Sequence, residues 1–341
     1  MPCRVALLTP SPLDAPRGNA VTVARIAAGL GARGVDVQVA LSTAAWSRAI
    51  QEPPPAAVHA FHAYHSGPAA SALATACAAP LVVTLTGTDV SEHLMQPSTT
   101  AAVRDVLRRA RAVTAFDESV LAAVRAVAPE VAGRLTVVPQ SVRLPERGAA
   151  PAPAIGGAPC ILFPAGIRPV KRPLFPLAPL DAVARRHPGL RLWYVGPSLD
   201  RDETRRLADA LATRPWARYL DAVPHAAMRA LFEAADIVLN CSASEGGMPN
   251  AVAEALDVGR AVLASDIPGN RSLIREGETG LLFGTPAELA DKVARLIADP
   301  ALRHRLGDAG QRLIAARFTP AAEIDGYLAV YRRAADGAAT A

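Results

Sequence analysis

Short apolar segments alternate with helical patterns along most of this chain, and the alternation runs through two successive series. Such alternation predicts parallel strands joined by helices that cover both faces of a sheet. We therefore predict an α/β protein with two Rossmann-like, doubly wound parallel sheets. The predicted strands are 5–8, 37–41, 57–61, 81–85, 112–115 and 135–138 in the first series, and 160–163, 190–195, 217–220, 237–239, 261–264 and 280–283 in the second.

A segment rich in Pro and Gly, residues 147–159, separates the two series and is typical of a linker. The expected domains are 1–150 on the acceptor side and 151–318 on the donor side. A C-terminal helix, 319–341, is expected in addition and could pack back on the N-terminal domain. Two such domains would leave a cleft, and ligands of open parallel sheets bind beyond the carboxyl ends of the strands.

The composition fits a globular enzyme and argues against several other classes. Hydrophobic residues make up 51% and charged residues 20%, which is ample for two cores. The net charge of +5 is diffuse, so no nucleic-acid partner is expected. No apolar run approaches the roughly 18 residues of a membrane span, and the N-terminus does not resemble a signal peptide, so we expect a cytoplasmic location. The four cysteines are scattered and predict neither a disulfide framework nor a zinc site.

Two glutamates, Glu245 and Glu254, flank a glycine turn between a predicted strand and a predicted helix. Such a turn directs backbone N–H groups and a helix N-terminus at a bound anion. The carboxylates suit a ligand with hydroxyl groups and a developing positive charge. A sugar nucleotide meets both requirements. The turn itself consists of Gly246, Gly247, Met248, Pro249 and Asn250.

Cations follow the first strand of the second series. Arg168 and Lys171 are predicted to neutralise a diphosphate at this strand end, whereas Arg172 is expected to be solvated. Gly196 and Val223 follow the next two strands and are expected to line a nucleotide pocket.

The first series offers weaker candidates. Gly18 opens a helix and permits close approach of a ligand, and Asn19 suits the N-cap of that helix. Thr86 and Gly87 follow a buried strand, as does Asp89, which either faces the cleft or caps the next helix.

Three histidines, His59, His62 and His65, follow one another closely in the first series. No acid or cysteine nearby completes a ligand set, so a polar wall is favoured over a zinc site, with His62 as the best candidate. Asp200 and Asp202 could hold a metal, but capping of the following helix explains them better. We therefore expect no metal site.

These motifs, in this order, resemble the retaining sugar-nucleotide glycosyltransferases of family 4, whose fold is GT-B. The most distinctive part is 218–283, and the resemblance covers nearly the whole chain. Within the family, the sequence is most similar to the branch that includes the animal glycosyltransferase 1 domain-containing proteins, with bacterial selenosugar synthases similar in several marks. The marks are Gly18-Asn19, Gly87-Thr88-Asp89, Val170-Lys171, Ser244-Glu245-Gly246, Pro249-Asn250, Glu254-Ala255 and Ile267-Pro268-Gly269-Asn270.

The resemblance implies that Arg168 and Lys171 hold the donor diphosphate without a metal. It implies that Glu254 binds the ribose hydroxyls and that Glu245 lies near the transferred sugar. Eight residues separate the two glutamates, where the family usually has seven. Thr86 stands where the family commonly has a histidine.

We therefore expect a retaining glycosyltransferase of the hexosyltransferase type. It would move a sugar from a UDP-sugar, with UDP-GlcNAc one candidate, to a small acceptor. The alternatives are a selenosugar or thiosugar synthase, a non-hydrolysing sugar-nucleotide epimerase, and an inactive protein that only binds nucleotide sugars.

Overall fold

The computed structural model describes residues 4–13, 18–43, 52–142, 144–148, 150–245 and 247–339. The chain forms two compact units, one of residues 1–141 with 320–341 and one of residues 142–319. The second unit thus begins nine residues before the expected start at 151. At this boundary the backbone N–H of Val142 donates to the carbonyl of Phe318 at 3.2 Å. Gly246, a predicted donor-binding residue, lies outside the described residues.

The first unit contains a parallel sheet of six strands in the order β2-β1-β3-β4-β5-β6. Its strands are rich in Val, Leu and Ala, and β3 and β4 are buried along their whole length. In chain order the elements are β1 Arg4–Thr9, α1 Gly18–Ala32, β2 Asp36–Leu41, β3 Ala57–Phe61, α2 Gly67–Ala76, β4 Leu81–Leu85, a π-helical turn Asp89–His93, α3 Pro97–Arg109, β5 Ala112–Ala115, α4 Glu118–Val127, a 3-10 turn Pro129–Arg134 and β6 Leu135–Val137.

The second unit contains another parallel sheet of six strands, in the order β12-β11-β10-β7-β8-β9. Its elements are β7 Cys160–Pro164, a 3-10 turn Pro169–Lys171, α5 Leu177–Arg186, β8 Arg191–Val195, α6 Arg201–Leu211, β9 Ala217–Leu220, a 3-10 turn His225–Ala227, α7 Met228–Ala234, β10 Ile237–Asn240, α8 Asn250–Asp257, β11 Ala261–Ser265, α9 Pro268–Arg271, β12 Leu281–Phe283, α10 Pro286–Ala298 and α11 Pro300–Arg317.

All twelve predicted strands are present, with ends that differ from the prediction by at most one residue. The predicted fold class, two doubly wound parallel sheets, is therefore confirmed. Asp200 caps α6 by accepting a hydrogen bond from the N–H of Glu203 at 2.8 Å, as predicted. Asn19 is not an N-cap, because α1 already begins at Gly18.

The last helix, α12 Pro320–Ala339, belongs to the first unit. Tyr327 and Val330 are buried against the face of the sheet that α1 also covers. Glu323 is buried and accepts two hydrogen bonds from Arg25 at 2.9 and 3.0 Å. It also accepts one from Ser141 at 2.5 Å. No helix in the described part of the chain has the length and apolar character that crossing a bilayer requires.

Each sheet has one point at which the strand order reverses. In the first sheet this point lies between β1 and β3, and in the second it lies between β7 and β10. Connections leave these neighbouring strands in opposite directions, which opens a crevice beyond their carboxyl ends. The loops that follow these four strands are therefore where a site is expected.

Candidate functional site

An ion pair joins the two loops at the reversal point of the second sheet. Lys171 ends the 3-10 turn after β7, and Glu245 lies in the loop after β10. The Lys171 Nζ is 2.6 Å from Oε1 and 2.7 Å from Oε2 of Glu245. The side chains are only 16% and 11% exposed, so water screens the pair weakly.

Two further side chains hold the Glu245 carboxylate. Ser242 donates from its hydroxyl to Oε1 at 2.6 Å, and Asn240 donates from its amide at 3.1 Å. Burial alone would raise the pKa of Glu245. The charge of Lys171 and the hydrogen bonds from Lys171, Ser242 and Asn240 lower the pKa by more than burial raises it. The net result is a pKa below the usual value, so Glu245 is ionised at neutral pH.

Arg172 connects the same two loops, so its predicted solvation is wrong. Its Nε donates to the carbonyl of Cys241 at 2.6 Å, and its guanidinium lies 4.5 Å from the ring centre of Phe175. The backbone N–H of Ala243 also donates to the carbonyl of Val170 at 2.8 Å. These contacts fix the loop that carries Glu245 against the turn that carries Lys171.

Arg168 differs from both of these cations. It precedes the 3-10 turn, its side chain is exposed, and its guanidinium has no partner among the described residues. An exposed, planar guanidinium three residues before Lys171 is suited to binding an anion from solution.

Gly269, at the start of α9, allows the Glu245 loop to approach closely. A Cβ at position 269 would lie 2.6 Å from the Cβ of Glu245 and 2.6 Å from the carbonyl oxygen of Gly247. Gly247 itself has a φ of 141°, which other residues rarely adopt. Gly269 was not among the predicted site residues, although its Pro-Gly-Asn context indicates a turn.

The N-terminus of α8 follows the same loop. Its N-cap is Pro249, which makes no capping hydrogen bond with its side chain, so the first turn presents backbone N–H groups. Met248 and Pro249 are buried, whereas Asn250 is half-buried as the first helical residue.

Glu254 lies one helical turn after Asn250 and therefore on the same side of α8. Its Oε1 is 2.8 Å from Nε2 of His225, which begins the 3-10 turn after β9. Val223, two residues before His225, is half-buried in the same connection. His225 was not among the predicted site residues.

Gly196 follows β8 with a φ of 152° and packs against the loop after β7. A Cβ there would lie 2.4 Å from the carbonyl oxygen of Ala165. Tyr219 donates from its hydroxyl to the Gly196 carbonyl at 2.9 Å. Gly196 therefore allows the ends of β7 and β8 to approach each other.

The corresponding crevice in the first unit is lined by polar groups among the residues that the structure describes. His62, which directly follows β3, is buried and has a φ of 88°. Its Nδ1 accepts from the N–H groups of Tyr64 and His65 at 3.2 and 3.1 Å, and its Nε2 is 2.9 Å from the hydroxyl of Thr88. Nδ1 is therefore unprotonated and Nε2 carries the proton. Burial lowers the pKa of His62 to about 4, so the ring is neutral.

Asp89 holds the ends of β3 and β4 together. Its carboxylate accepts from the N–H groups of Gly87 at 2.8 Å, Ala63 at 3.0 Å and Thr86 at 3.1 Å. It is fully buried, and Thr88 rather than Asp89 is the N-cap of the following turn. Asn19 donates from its amide to the Thr86 hydroxyl at 3.2 Å, which links the start of α1 to this strand end.

His59 is separate from the other histidines of its segment. It is buried within β3, where its two ring nitrogens lie 2.7 Å from the Tyr331 hydroxyl and 2.6 Å from the Thr84 hydroxyl. It therefore belongs to the core.

Comparison with known proteins identifies the second unit. Residues 158–299, which contain Arg168, Lys171, Glu245 and Glu254, match the model of the family described as Glycosyl transferases group 1. Over this segment the chain is similar to the group 1 glycosyltransferases. The chain is also 27% identical to a glycosyltransferase 1 domain-containing protein 1 from Xenopus tropicalis. The alignment spans 251 residues and covers 71% of this chain and 72% of that protein. Seven further curated relatives, all named as glycosyl- or sugar transferases, align over only 22% to 43% of their own length.

Solved structures show the same fold over nearly the whole glycosyltransferase chain. Sucrose-phosphate synthase from Thermosynechococcus elongatus has a TM-score of 0.81 at 18% identity and covers 97% of this chain and 98% of that one. Anabaena Alr3699/HepE, solved in complex with UDP and glucose, has a TM-score of 0.76 at 17% identity. The superposition covers 96% of this chain and 98% of the Anabaena chain. The predicted GT-B fold and the predicted enzyme class, glycosyltransferase, are thus confirmed.

Proposed function

We propose that this glycosyltransferase moves a hexosyl group from a UDP-sugar to a small acceptor, with retention of the anomeric configuration. The observation that carries the proposal is the Lys171–Glu245 pair at the β7–β10 reversal point, beside the exposed Arg168. Cations at this point suit a diphosphate, and a carboxylate beside them suits the hydroxyl groups of a sugar.

The start of α8 supports the same assignment. Its first-turn N–H groups would donate to the β-phosphate or to the transferred sugar. Glu254 would accept hydrogen bonds from the ribose hydroxyls, and Gly196, Gly247 and Val223 would line the nucleotide with backbone groups. Uridine is proposed as the base because the Anabaena relative by fold was solved with UDP.

In the proposed reaction, the bond between the anomeric carbon and the β-phosphate oxygen breaks, and its electron pair leaves with UDP. Lys171, Arg168 and the α8 N–H groups stabilise the charge that develops on the phosphate. The acceptor oxygen bonds to the anomeric carbon on the face that UDP leaves, and its proton passes to the departing phosphate oxygen. The protein contributes position and electrostatics, so no metal ion is required at the diphosphate.

Gly18, Asn19, Thr86 and Gly87 are proposed to complete the donor site, and His62 and Asp89 to shape the acceptor side. Because Asp89 already accepts three backbone hydrogen bonds, it would act by holding the strand ends in place. A cytoplasmic location is part of this proposal.

The test is incubation of the purified chain with UDP-sugars and a panel of small acceptors that includes selenophosphate and thiophosphate. NMR would follow UDP release and the anomeric configuration of the product. An α-linked product from an α-linked donor supports the proposal, and an inverted product contradicts it. An epimerised donor without acceptor indicates an epimerase, and nucleotide binding without turnover against any acceptor indicates a binding protein.

A further inference from the structure

The first unit brings together three histidines from two segments of the sequence that are about thirty residues apart. His62 and His65 belong to the loop between β3 and α2, and His93 ends the π-helical turn after β4. Their ring centres are 4.4 Å apart for His62 and His65, 5.0 Å for His65 and His93, and 5.6 Å for His62 and His93. No metal site was predicted here, because no acid or cysteine near His62 in the sequence completes a ligand set.

We propose that His62, His65 and His93 form a binding site for a divalent transition-metal ion, with Zn²⁺ as the best match. One ring nitrogen from each histidine lies within 4.8 Å of the other two. Three nitrogens bound to one tetrahedral zinc ion at about 2.0–2.1 Å would be about 3.3–3.4 Å apart. The distances therefore require only a small inward movement of the rings, and an open fourth position would remain.

The protonation of His62 prepares it as a ligand. Because Nε2 carries the proton and faces the Thr88 hydroxyl, the lone pair lies on Nδ1. A ligating histidine ordinarily uses its other N–H in this way, to a hydrogen-bond acceptor that fixes the ring. Nδ1 accepts two backbone N–H groups at 3.1 and 3.2 Å, and these are the contacts that a metal bond would replace.

His93 provides an independent indication of a ligand. Its Nδ1 is buried and has no hydrogen-bond partner among the described residues. A buried polar atom without a partner costs about 1–3 kcal/mol. Its ring stacks on that of Tyr64 at 4.1 Å, which limits how far the imidazole can turn to find a partner. A water molecule or a metal ion that satisfies the cluster would remove this cost.

The charges around the cluster favour a cation. Asp89 and Glu92 belong to the same turn as His93, and both act on His65 electrostatically. The exposed position of His65 gives a metal ion access from solvent.

The three proposed ligands all belong to the first unit and lie outside the segment 158–299. Because His62 is also proposed to shape the acceptor side, the test measures metal binding and stability rather than sugar transfer. A bound ion would clamp the β3–α2 loop to the turn after β4. The inference therefore predicts metal binding and a more stable first unit, whatever the transferred sugar is.

The experiment uses the full chain without a histidine tag, freed of metal by a chelator. Calorimetric titration with Zn²⁺ is expected to show one ion per chain with a micromolar or tighter Kd. Titration with Co²⁺ is expected to produce the intense visible bands of a tetrahedral nitrogen site, without the thiolate charge-transfer band that a cysteine ligand would add.

Two variants identify the ligands. His65→Ala and His93→Ala are each expected to weaken Zn²⁺ binding at least about 100-fold, since each removes a ligand. His304→Ala, which changes an exposed histidine of α11, serves as the matched control and should bind as the parent does. No binding by the parent chain, or unchanged binding by folded His65→Ala, would overturn the proposal. Loss of binding in His304→Ala would also overturn it.

Discussion

The two reversal-point crevices occupy equivalent positions in two similar sheets, yet they differ in chemistry. In the second unit, Lys171 and Glu245 meet as a buried ion pair and Arg168 remains exposed. In the first unit, His62 is neutral and the Asp89 carboxylate is occupied by three backbone N–H groups. The comparison teaches that strand topology fixes where a crevice forms, whereas a few loop residues decide whether it presents charge or shape.

Lys171→Ala is expected to have the largest effect, because it removes the central cation of the charged crevice. We expect kcat/KM for sugar transfer to fall by about 10²–10³-fold. The variant also leaves Glu245 without its charged partner, so its stability must be measured by urea unfolding. Lys292→Ala, at the only other lysine of the chain, is the matched control and should retain activity. Unchanged kcat/KM in Lys171→Ala would remove the charged crevice from the mechanism.

Two buried neutral histidines of the first unit, His62 at the crevice and His59 in the core, predict that acid weakens this unit before the second. The pKa of His62 is lowered to about 4 and that of His59 to about 3. As the pH falls, both side chains therefore bind a proton in the unfolded chain at a higher pH than in the folded chain. Stability of the first unit is therefore complete above the unfolded pKa of 6.5 and decreases as the pH falls below it. Between pH 6.5 and 5 each histidine would lower the free energy of unfolding of the first unit by about 2 kcal/mol.

Hydrogen exchange measured by mass spectrometry at pH 7 and pH 5 can follow the two units separately. Glu245, whose pKa is lowered, affects the second unit only at more acidic pH. Equal loss of protection in both units between these two values would contradict the comparison.

Arg168→Ala is expected to lower kcat/KM about tenfold, because an exposed cation contributes about 1 kcal/mol. Stability should not change, since the side chain has no partner in the described structure. Exposed Arg201, at the start of α6, provides a control substitution to Ala. An equal loss of activity in both variants would indicate a general charge effect rather than a diphosphate contact.

His225→Ala is expected to have the smallest effect, about fivefold on nucleotide affinity, as one hydrogen bond to Glu254 is lost. If His225 positions Glu254 for the ribose, the loss should be larger for UDP than for 2′-deoxy-UDP. Calorimetry with both nucleotides measures this difference. The same loss for both would show that His225 does not act through the ribose.

Much of this organisation could be predicted from the sequence, because it depends on local pattern. The buried strands are short apolar runs in the sequence. The polar residues of the site lie in the loops that directly follow the carboxyl ends of these strands. Lys171 and Glu245 were selected separately for this reason, although they are 74 residues apart. Their direct contact could not be predicted, since it depends on which strands become neighbours.

The errors concern residues whose partners are distant in sequence. Arg172 looked solvated, but its partners are carbonyl groups of the β10 loop, 69 residues away. His93 was overlooked because nothing near it in sequence suggests His62 or His65. Gly269 matters only because the Glu245 loop lies against α9. The rarity of lysine was one signal in the sequence that pointed to Lys171. Of the 36 lysines and arginines in the chain, only two are lysines, and Lys171 is one of them.

The place of α12 in the first unit has a consequence for synthesis. The ribosome releases residues 1–141 well before 320–339, so the sheet face that receives Tyr327 and Val330 stays uncovered while the second unit emerges. The second unit is continuous in sequence and can close first. The earliest part of the chain to be made is therefore the last to be completed, and its exposed apolar face is where a chaperone would be needed.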